Sequence, residues 1–480
     1  MIKFTSETLR DKVYGCWVGK NIGGTLGTPF EGRREIIEIE GYSTPKGVVL
    51  PNDDLDLQLV WLKALEDRGP LGVNAQLLGE YWINYIGPHW NEYGIGKCNM
   101  KAGLLPPMSG EYCNEEWKHS NGAWIRSEVW ACLNPGNPDA AIKYAYEDAC
   151  VDHGMGEGTY AELFTAALQS AAFVCTDIFE LINIGLSKIP SDCRVTKSVN
   201  LALNAYKQGL SWKEARQIVL DDSLVDLGWF QAPANVAYTI IGLLYGEGDF
   251  KKSMLIAIGC GDDTDCTGAT LGALFGIMYG EKALPADWKE YIGDNIITVA
   301  VERGSIGYFL PKTCSELTDR IIALLPSMIK ANNLNVDVNA QQDEYIVNDT
   351  TGFKNYPTQL LSRSPYSIVS EFIYAKVLVD YGKAPVIKPN EEFTLTLTFS
   401  NLMPDPKHLH IKWHLPEGFA VRGPKDIYLY HQSCNRRDTE TTYEYTIIAG
   451  DKVDTLNRAI LEVSAIGRPT VGLVSVVFLG

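Results

Sequence analysis

Glycines at 268, 272, 276 and 280, one every four residues, follow directly on the acidic run Gly259-Cys260-Gly261-Asp262-Asp263-Thr264-Asp265-Cys266-Thr267. A four-residue interval sets all of them on one face of a helix. Each interior glycine weakens a helix by about 1 kcal/mol relative to alanine, so a face made of them implies close approach to another backbone. The acids would then stand at the mouth of a buried helix. An N-cap explains one of them, because Asp and Thr bond the orphan N–H groups of a first turn. Several carboxylates so close together repel unless a cation holds them, and oxygen-only clusters suit magnesium, calcium or manganese. On this stretch alone, capping and metal binding explain the residues equally well.

Two earlier stretches share its character. Residues 7–22 read as a helix with Leu9, Val13, Cys16 and Trp17 on its apolar face and Ser6 as cap. Gly15, Gly19, Gly23, Gly24 and Gly27 form a second glycine stripe running into Thr28-Pro29-Phe30-Glu31-Gly32. Locally, Glu31 reads as an exposed loop glutamate. Then Asn52-Asp53-Asp54-Leu55-Asp56 opens the apolar helix 57–65, with Asn52 or Asp53 as cap. Two double-aspartate helix mouths, facing one another, would make a binuclear oxygen-ligand site. The positive helix ends oppose a bound cation, but about half a charge each cannot outweigh several full carboxylates.

The net charge of −17 argues against nucleic acid and anionic membranes as partners. No run of 18 apolar residues offers a transmembrane helix, and the first residues lack a signal peptide's apolar region. Eleven cysteines occur without a CxxC pair, which reads as reduced thiols in a cytoplasmic protein rather than a zinc framework. The oligomeric state is not legible.

Helical periodicity continues to about 330, through 74–86, 138–151, 161–175, 195–208, 212–221, 234–246, 287–301 and 314–331. It is interrupted by a loop-like stretch, 88–123, that ends in Ser120-Asn121-Gly122-Ala123-Trp124-Ile125-Arg126. His153 follows in Asp152-His153-Gly154, and a lone histidine there is ordinarily structural. Residues 331–365 are polar and read as a linker. From 366 to 480 apolar and polar residues alternate in about seven short runs separated by turn residues, which predicts an immunoglobulin-like β-sandwich. The expected division is therefore 1–330 all-helical, 331–365 crossing segment and 366–480 all-β. His89, His119, His408, His410, His414 and His431 show no ligand spacing with acids along the chain, and 408, 410 and 414 read as strand-surface positions.

Taken in order, these motifs resemble the ADP-ribosylglycohydrolase superfamily, the helical dimetal enzymes that include the dinitrogenase-reductase-activating glycohydrolase. The likeness covers residues from about 10 to 330. Gly15–Glu31 is similar to the family's opening glycine-rich helix and loop glutamate, Asn52-Asp53-Asp54 to its Thr-Asp-Asp, and 120–126 to its Asn-Gly-Ala-x-x-Arg segment. Asp152-His153-Gly154 falls at its histidine motif and Asp263-Thr264-Asp265-Cys266 at its Asp-Thr-Asp-Thr motif. The resemblance implies one or two Mg²⁺ ions (Mn²⁺ suits the same donors) held by Asn52, Asp53, Asp54, Asp263, Asp265 and Cys266. It also implies a proton-shuttling Glu31, with Asp53 and Asp263 serving catalysis, and His153, Asn121, Gly122 and Arg126 against the substrate. The implied reaction is hydrolysis of an N- or O-ribosyl bond, foremost of a free or protein-linked ADP-ribosyl group. Asn52 and Cys266 stand for the family's threonines, and Gly24 where many members carry aspartate. These departures leave two further readings: a non-catalytic metal- and ADP-ribose-binding protein, or a hydrolase of a simpler nucleoside-like ribosyl compound.

Overall fold

The computed structural model describes residues 1–225, 228–301, 310–430 and 439–480, so His431 lies outside the described residues. The chain divides into two compact units, Met1–Lys97 with Cys113–Leu361, and Cys98–Tyr112 with Ser362–Gly480.

The first unit is helical. Its centre is the pairing of the Ser6–Gly27 helix with the Thr264–Tyr279 helix. Here the two glycine stripes meet. A Cβ added to Gly15 would lie 2.7 Å from the Gly276 carbonyl oxygen, and one added to Gly268 would lie 2.8 Å from that of Gly23. At Gly19 and Gly272 the collision with the opposite backbone would be closer still. The glycine cost is thus offset by backbone-to-backbone packing that no side chain permits. Thr5, rather than Ser6, caps the first helix, its hydroxyl accepting from Thr8 N at 3.1 Å. Thr5 is the last extended residue, and only there does the side chain reach back to the third turn N–H.

Other helices surround this pair, among them Asp53–Arg68, Pro138–His153, Glu157–Ala171, Ala232–Tyr245, Phe250–Gly259 and Cys314–Asn332. The helix expected over 287–301 stops at Ile292, where Gly293 takes a φ of 74°. Only glycine adopts that conformation without strain. The polar stretch after 331 carries a short strand, Val336–Asp337, which pairs in parallel with Ile2–Lys3.

The second unit is two antiparallel sheets. One runs in the order Val471–Leu479, Leu456–Ala465, Lys407–His414, Asp426–Leu429, and the other Ser367–Glu371, Ala375–Asp380, Glu392–Asn401, Glu440–Ile448, Ala420–Arg422. Among the described residues this unit has nine strands where about seven are legible, because Ala420–Arg422 and Asp426–Leu429 are only three and four residues long. Alternation decides the inner face: Phe393, Leu395, Leu397 and Phe399 are fully buried. So are Leu409, Ala459, Leu461 and Val476 from the facing sheet.

The sandwich core also contains Leu104 and Met108, 0% and 1% exposed. They come from the loop-like stretch, which folds partly into the helices Asn91–Lys101 and Met108–Glu111. The core thus draws on a segment more than 250 residues earlier in the chain. A fragment ending at 361 is therefore expected to aggregate, because these side chains lose their core. Replacing 102–110 by a short Gly-Ser linker in that fragment should restore a monodisperse peak in size-exclusion chromatography.

Candidate functional site

The glycine register builds the site. Gly15 packs on Gly276 and Gly27 on Thr264, so the two helices run antiparallel. The end of the first helix therefore lies beside the mouth of the second. The turn Thr28–Phe30 and Glu31 follow there, and Gly32 N donates to Asp262 O at 2.9 Å while Asp262 N donates to Arg33 O at 3.0 Å. The third element is the start of the Asp53–Arg68 helix. Asn52 caps it, Oδ1 accepting from Asp54 N at 2.8 Å. A Cβ at Gly24 would strike the Asn52 amide. Glycine at 24 and asparagine at 52 are thus one steric arrangement.

Two groups of ligand atoms result. One atom each from Glu31, Asp263 and Asp265 lie within 4.8 Å of one another, as do those of Asp54, Asp265 and Cys266. Asp265 belongs to both. Asp53 stands beside them, accepting from the Tyr93 hydroxyl at 3.0 Å. Asp56 points elsewhere and anchors a loop through Val299 N and Ala300 N, at 2.5 and 2.6 Å. Asp262 is buried outside both groups, 3.7 Å from Arg34 Nε.

The electrostatics are those of an uncompensated cluster. Asp54 Oδ2, Asp263 Oδ1 and Asp265 Oδ1 are buried without a hydrogen-bond partner, whereas buried carboxylates normally have theirs. Burial first, then the neighbouring carboxylates, push Asp54 and Asp263 well above the ordinary range, and burial raises Asp265. Asp53 is pushed up to about 6 by burial and by Asp265. Glu31 is exposed as a residue, but its carboxyl is turned in among the acids and pushed up to about 8 by burial, Asp265 and Asp53. Lys20, fully buried in the first helix, lies 3.7 Å from Asp54 and 3.1 Å from Glu128 and supplies some positive charge. Orphaned oxygens from several carboxylates in one buried volume fit a hard dication. Cys266 fits less well: its thiol is driven up by burial and lies 3.4 Å from Asp54 Oδ1, as donor. The Thr267 hydroxyl is turned to Thr264 O at 3.2 Å.

These shifts predict a pH signature. A carboxyl with a raised folded pKa stabilises the fold fully below its ordinary value, and that stability is lost as pH rises through the folded value. For Asp53 the loss runs from the ordinary carboxylate range up to about pH 6, and for Glu31 it continues up to about pH 8. The rise in Tm caused by Mg²⁺ over EDTA should thus grow by roughly 2–4 °C between pH 6 and 8.5, read by differential scanning fluorimetry.

The 120–126 segment forms the wall behind the acids. Asn121 Nδ2 donates to Asp263 Oδ2 at 2.8 Å, and Trp124 Nε1 donates to Asn121 Oδ1 at 2.9 Å. Gly122, Arg126 and His153 gather further in. Arg126 donates to Asp148 at 2.7 Å, Asp152 at 2.6 Å and the Gly122 carbonyl at 2.5 Å. His153 lies between Asp152, at 2.9 Å, and Ser120 Oγ, at 3.0 Å. Arg126 and His153 are fully buried. A Cβ at Gly122 would strike the Glu92 carboxyl. Of the four residues expected against substrate, only Asn121 reaches the acids directly.

Sequence reasoning passed over Lys20 and Asn235, whose Oδ1 accepts from Asp263 N at 3.1 Å. A lysine inside a glycine-rich apolar helix was the one available signal. It also passed over Trp229 and Phe230, which are half-buried, with Trp229 3.7 Å from the Cβ position of Gly32. Trp117 adds an edge contact to Phe230.

A helical domain with two acidic helix mouths and a loop glutamate between them is one defined class of site. The family model described as ADP-ribosylglycohydrolase matches residues 5–321. The chain belongs to that family of glycohydrolases. Among solved structures, an ADP-ribosylglycohydrolase-related protein complex is similar at 20% identity, with 68% of this chain and 99% of that chain covered and a TM-score of 0.39. A FixG-related protein from Vibrio parahaemolyticus is similar over 24% of this chain and 95% of that chain, at 11% identity and a TM-score of 0.19. The GAE domain of GGA2p from Saccharomyces cerevisiae covers 24% of this chain and 96% of its own, at 14% identity and a TM-score of 0.17. No curated protein matched. In the described residues no helix is long and apolar enough to cross a membrane.

Proposed function

We propose that this chain is a Mg²⁺-dependent hydrolase of N- or O-ribosyl glycosidic bonds, with an ADP-ribosyl group as its preferred substrate. The observation that carries the reading is the set of orphaned, mutually close oxygens of Asp54, Asp263 and Asp265 with the Glu31 carboxyl beside them. Asp53, Asp54, Asp263 and Asp265 would hold one or two Mg²⁺ ions, assisted by the second lone pair of Asn52. Such an ion supplies charge neutralisation and an anchor for a vicinal diol. Asn121 and Tyr93 fix Asp263 and Asp53 in orientation through the hydrogen bonds described. Glu31, in its protonated form, donates to the leaving atom as the anomeric carbon takes on oxocarbenium character. Once ionised, it accepts a proton from the attacking water. His153, Gly122 and Arg126 act by holding Asn121 in place, and Trp229, Phe230 and Trp117 offer an aromatic surface for a base.

A second reading, metal and ADP-ribose binding without turnover, draws on the Cys266 thiol donating to Asp54 where the family has a threonine. The two part in one assay: ADP-ribosylated protein incubated with Mg²⁺ or EDTA, with released ADP-ribose measured. Mg²⁺-dependent release supports the hydrolase. Binding of ADP-ribose without release supports the second reading, and release from simple nucleosides alone moves the substrate class.

A further inference from the structure

Asp262 is the one acid of the Asp262-Asp263-Thr264-Asp265 run that the proposed hydrolysis does not use. It is fully buried, and its φ of 61° follows directly on 79° at Gly261. Such left-handed backbone is free for glycine and only tolerated by aspartate. A turn that needed the backbone alone would be served by a second glycine, so the carboxylate at 262 points to a use of its own. Metal ligation is not that use, because Asp262 lies outside both groups of ligand atoms.

Its main chain grips the two residues that follow Glu31, accepting from Gly32 N at 2.9 Å and donating to Arg33 O at 3.0 Å. A Cβ at Gly261 would lie 2.5 Å from that same Arg33 oxygen, so the loop crosses the turn at backbone contact. The Asp262 carboxylate oxygens have no hydrogen-bond partner among the described residues, and neither has Arg34 Nε, which faces one of them at 3.7 Å. Arg34 and then Arg216 are the positive charges acting on Asp262, and Arg216 Nε is committed to the Cys260 carbonyl at 2.9 Å. Arg34 also reaches the aromatic side of the site. Its Nη2 donates to Ser223 O at 3.4 Å, and its Nη1 stands 3.8 Å from the Cβ position of Gly228, the residue before Trp229.

We infer that Asp262 and Arg34 are positioning residues, a charge pair that clamps the Glu31 loop and Trp229 onto the acidic helix mouth and so fixes the Glu31 carboxyl beside Asp265. Glu31 is joined directly to Gly32, so a loop that lifts from Asp262 carries the carboxyl with it. A misplacement of about 1 Å is enough to cost roughly 10²-fold in rate. Removing one partner of a buried pair leaves the other charge uncompensated, whereas removing both does not. The effect on turnover rests on the hydrolase reading above; the clamp itself rests on the bonds and the charge pair.

The test reads amide hydrogen exchange by mass spectrometry, turnover of ADP-ribosylated protein and Mg²⁺ affinity on the full-length chain. Asp262→Asn keeps the size of the side chain and its tolerance of left-handed backbone. Arg34 is 27% exposed, so Arg34→Gln keeps the test open should the buried substitution unfold the chain. Each variant should speed exchange about tenfold in the peptides that carry Gly32 and Trp229. Each should lower kcat by about 10–10²-fold and raise KM, with Mg²⁺ affinity kept within about twofold. The double variant should lose no more than Arg34→Gln alone, and Arg34→Lys should recover most of the rate. Glu35→Gln, which breaks the exposed Arg33–Glu35 pair of the same loop, should move none of the three readouts. Unchanged exchange in both single variants would overturn the proposal whatever the rate. So would additive losses in the double variant, or a Mg²⁺ affinity that falls with kcat and makes Asp262 a ligand. Faster exchange in the variants of a chain that releases no ADP-ribose even unaltered supports the clamp and rejects the hydrolase reading instead.

Discussion

Asp265→Asn is expected to abolish turnover and stabilisation by Mg²⁺ together, because Asp265 is the one acid common to both ligand groups. An ion at a hundredfold excess over its Kd stabilises the fold by about 2.7 kcal/mol, and that increment should vanish. Glu31→Gln should behave differently. The amide keeps the size and hydrogen bonding of the acid but cannot exchange a proton. Mg²⁺ and ADP-ribose should therefore still bind while turnover falls by roughly 10²–10⁴-fold. Calorimetric titration with Mg²⁺ and release of ADP-ribose, measured on both variants, check the pair. Full turnover in Glu31→Gln would return Glu31 to the exposed loop residue of its local sequence. An unchanged Mg²⁺ shift in Asp265→Asn would leave the acids as helix caps.

The contrast between those two residues also marks how far the sequence carries. The four-residue glycine intervals and the double-aspartate helix mouths are local signals, and the structure assembles them into one place. Glu31 was ambiguous because nothing local distinguishes a loop acid at a surface from one turned into a cluster. That difference is created by the antiparallel register of two helices some 240 residues apart. Lys20 and Asn235 were illegible as site residues for the same reason: each reaches an acid through tertiary packing. Arg126 and His153 were legible as important residues, but their position one layer behind Asn121 was not. Burial of an arginine depends on Asp148 and Asp152, carried on another helix. The Cys98–Tyr112 segment shows the limit most plainly. Its Gly- and Pro-rich composition reads as loop, and only the sandwich core explains why Leu104 and Met108 stand within it.

The largest stability effect is expected where the two glycine stripes meet. A methyl group at Gly272 has no side chain to displace, since what it meets is the backbone carbonyl of Gly19. The helices must move apart, and overpacking of this kind costs about 1–3 kcal/mol or more. Alanine regains about 1 kcal/mol of helix propensity, so the cost should exceed that gain and Gly272→Ala should destabilise by roughly 2 kcal/mol. Gly272→Val has no such offset and adds a second branch, which puts it at about 4 kcal/mol or beyond, the range of exceptional substitutions. Gly19→Ala should cost as much as Gly272→Ala, because each methyl meets the other residue's carbonyl. The double variant should cost less than the sum, since helices already parted by one methyl admit the second with less strain. Gly41→Ala is the control: nothing lies within 4 Å of its Cβ position, and its effect should stay within about 0.5 kcal/mol. Calorimetric unfolding of the five variants checks the order. Mg²⁺ affinity should fall along with stability in the Gly19 and Gly272 variants and not in Gly41→Ala, because the same register holds Glu31 beside Asp265. Additive costs in the double variant, or Mg²⁺ affinity indifferent to Gly272, would mean that the acids are positioned by something other than the glycine seam.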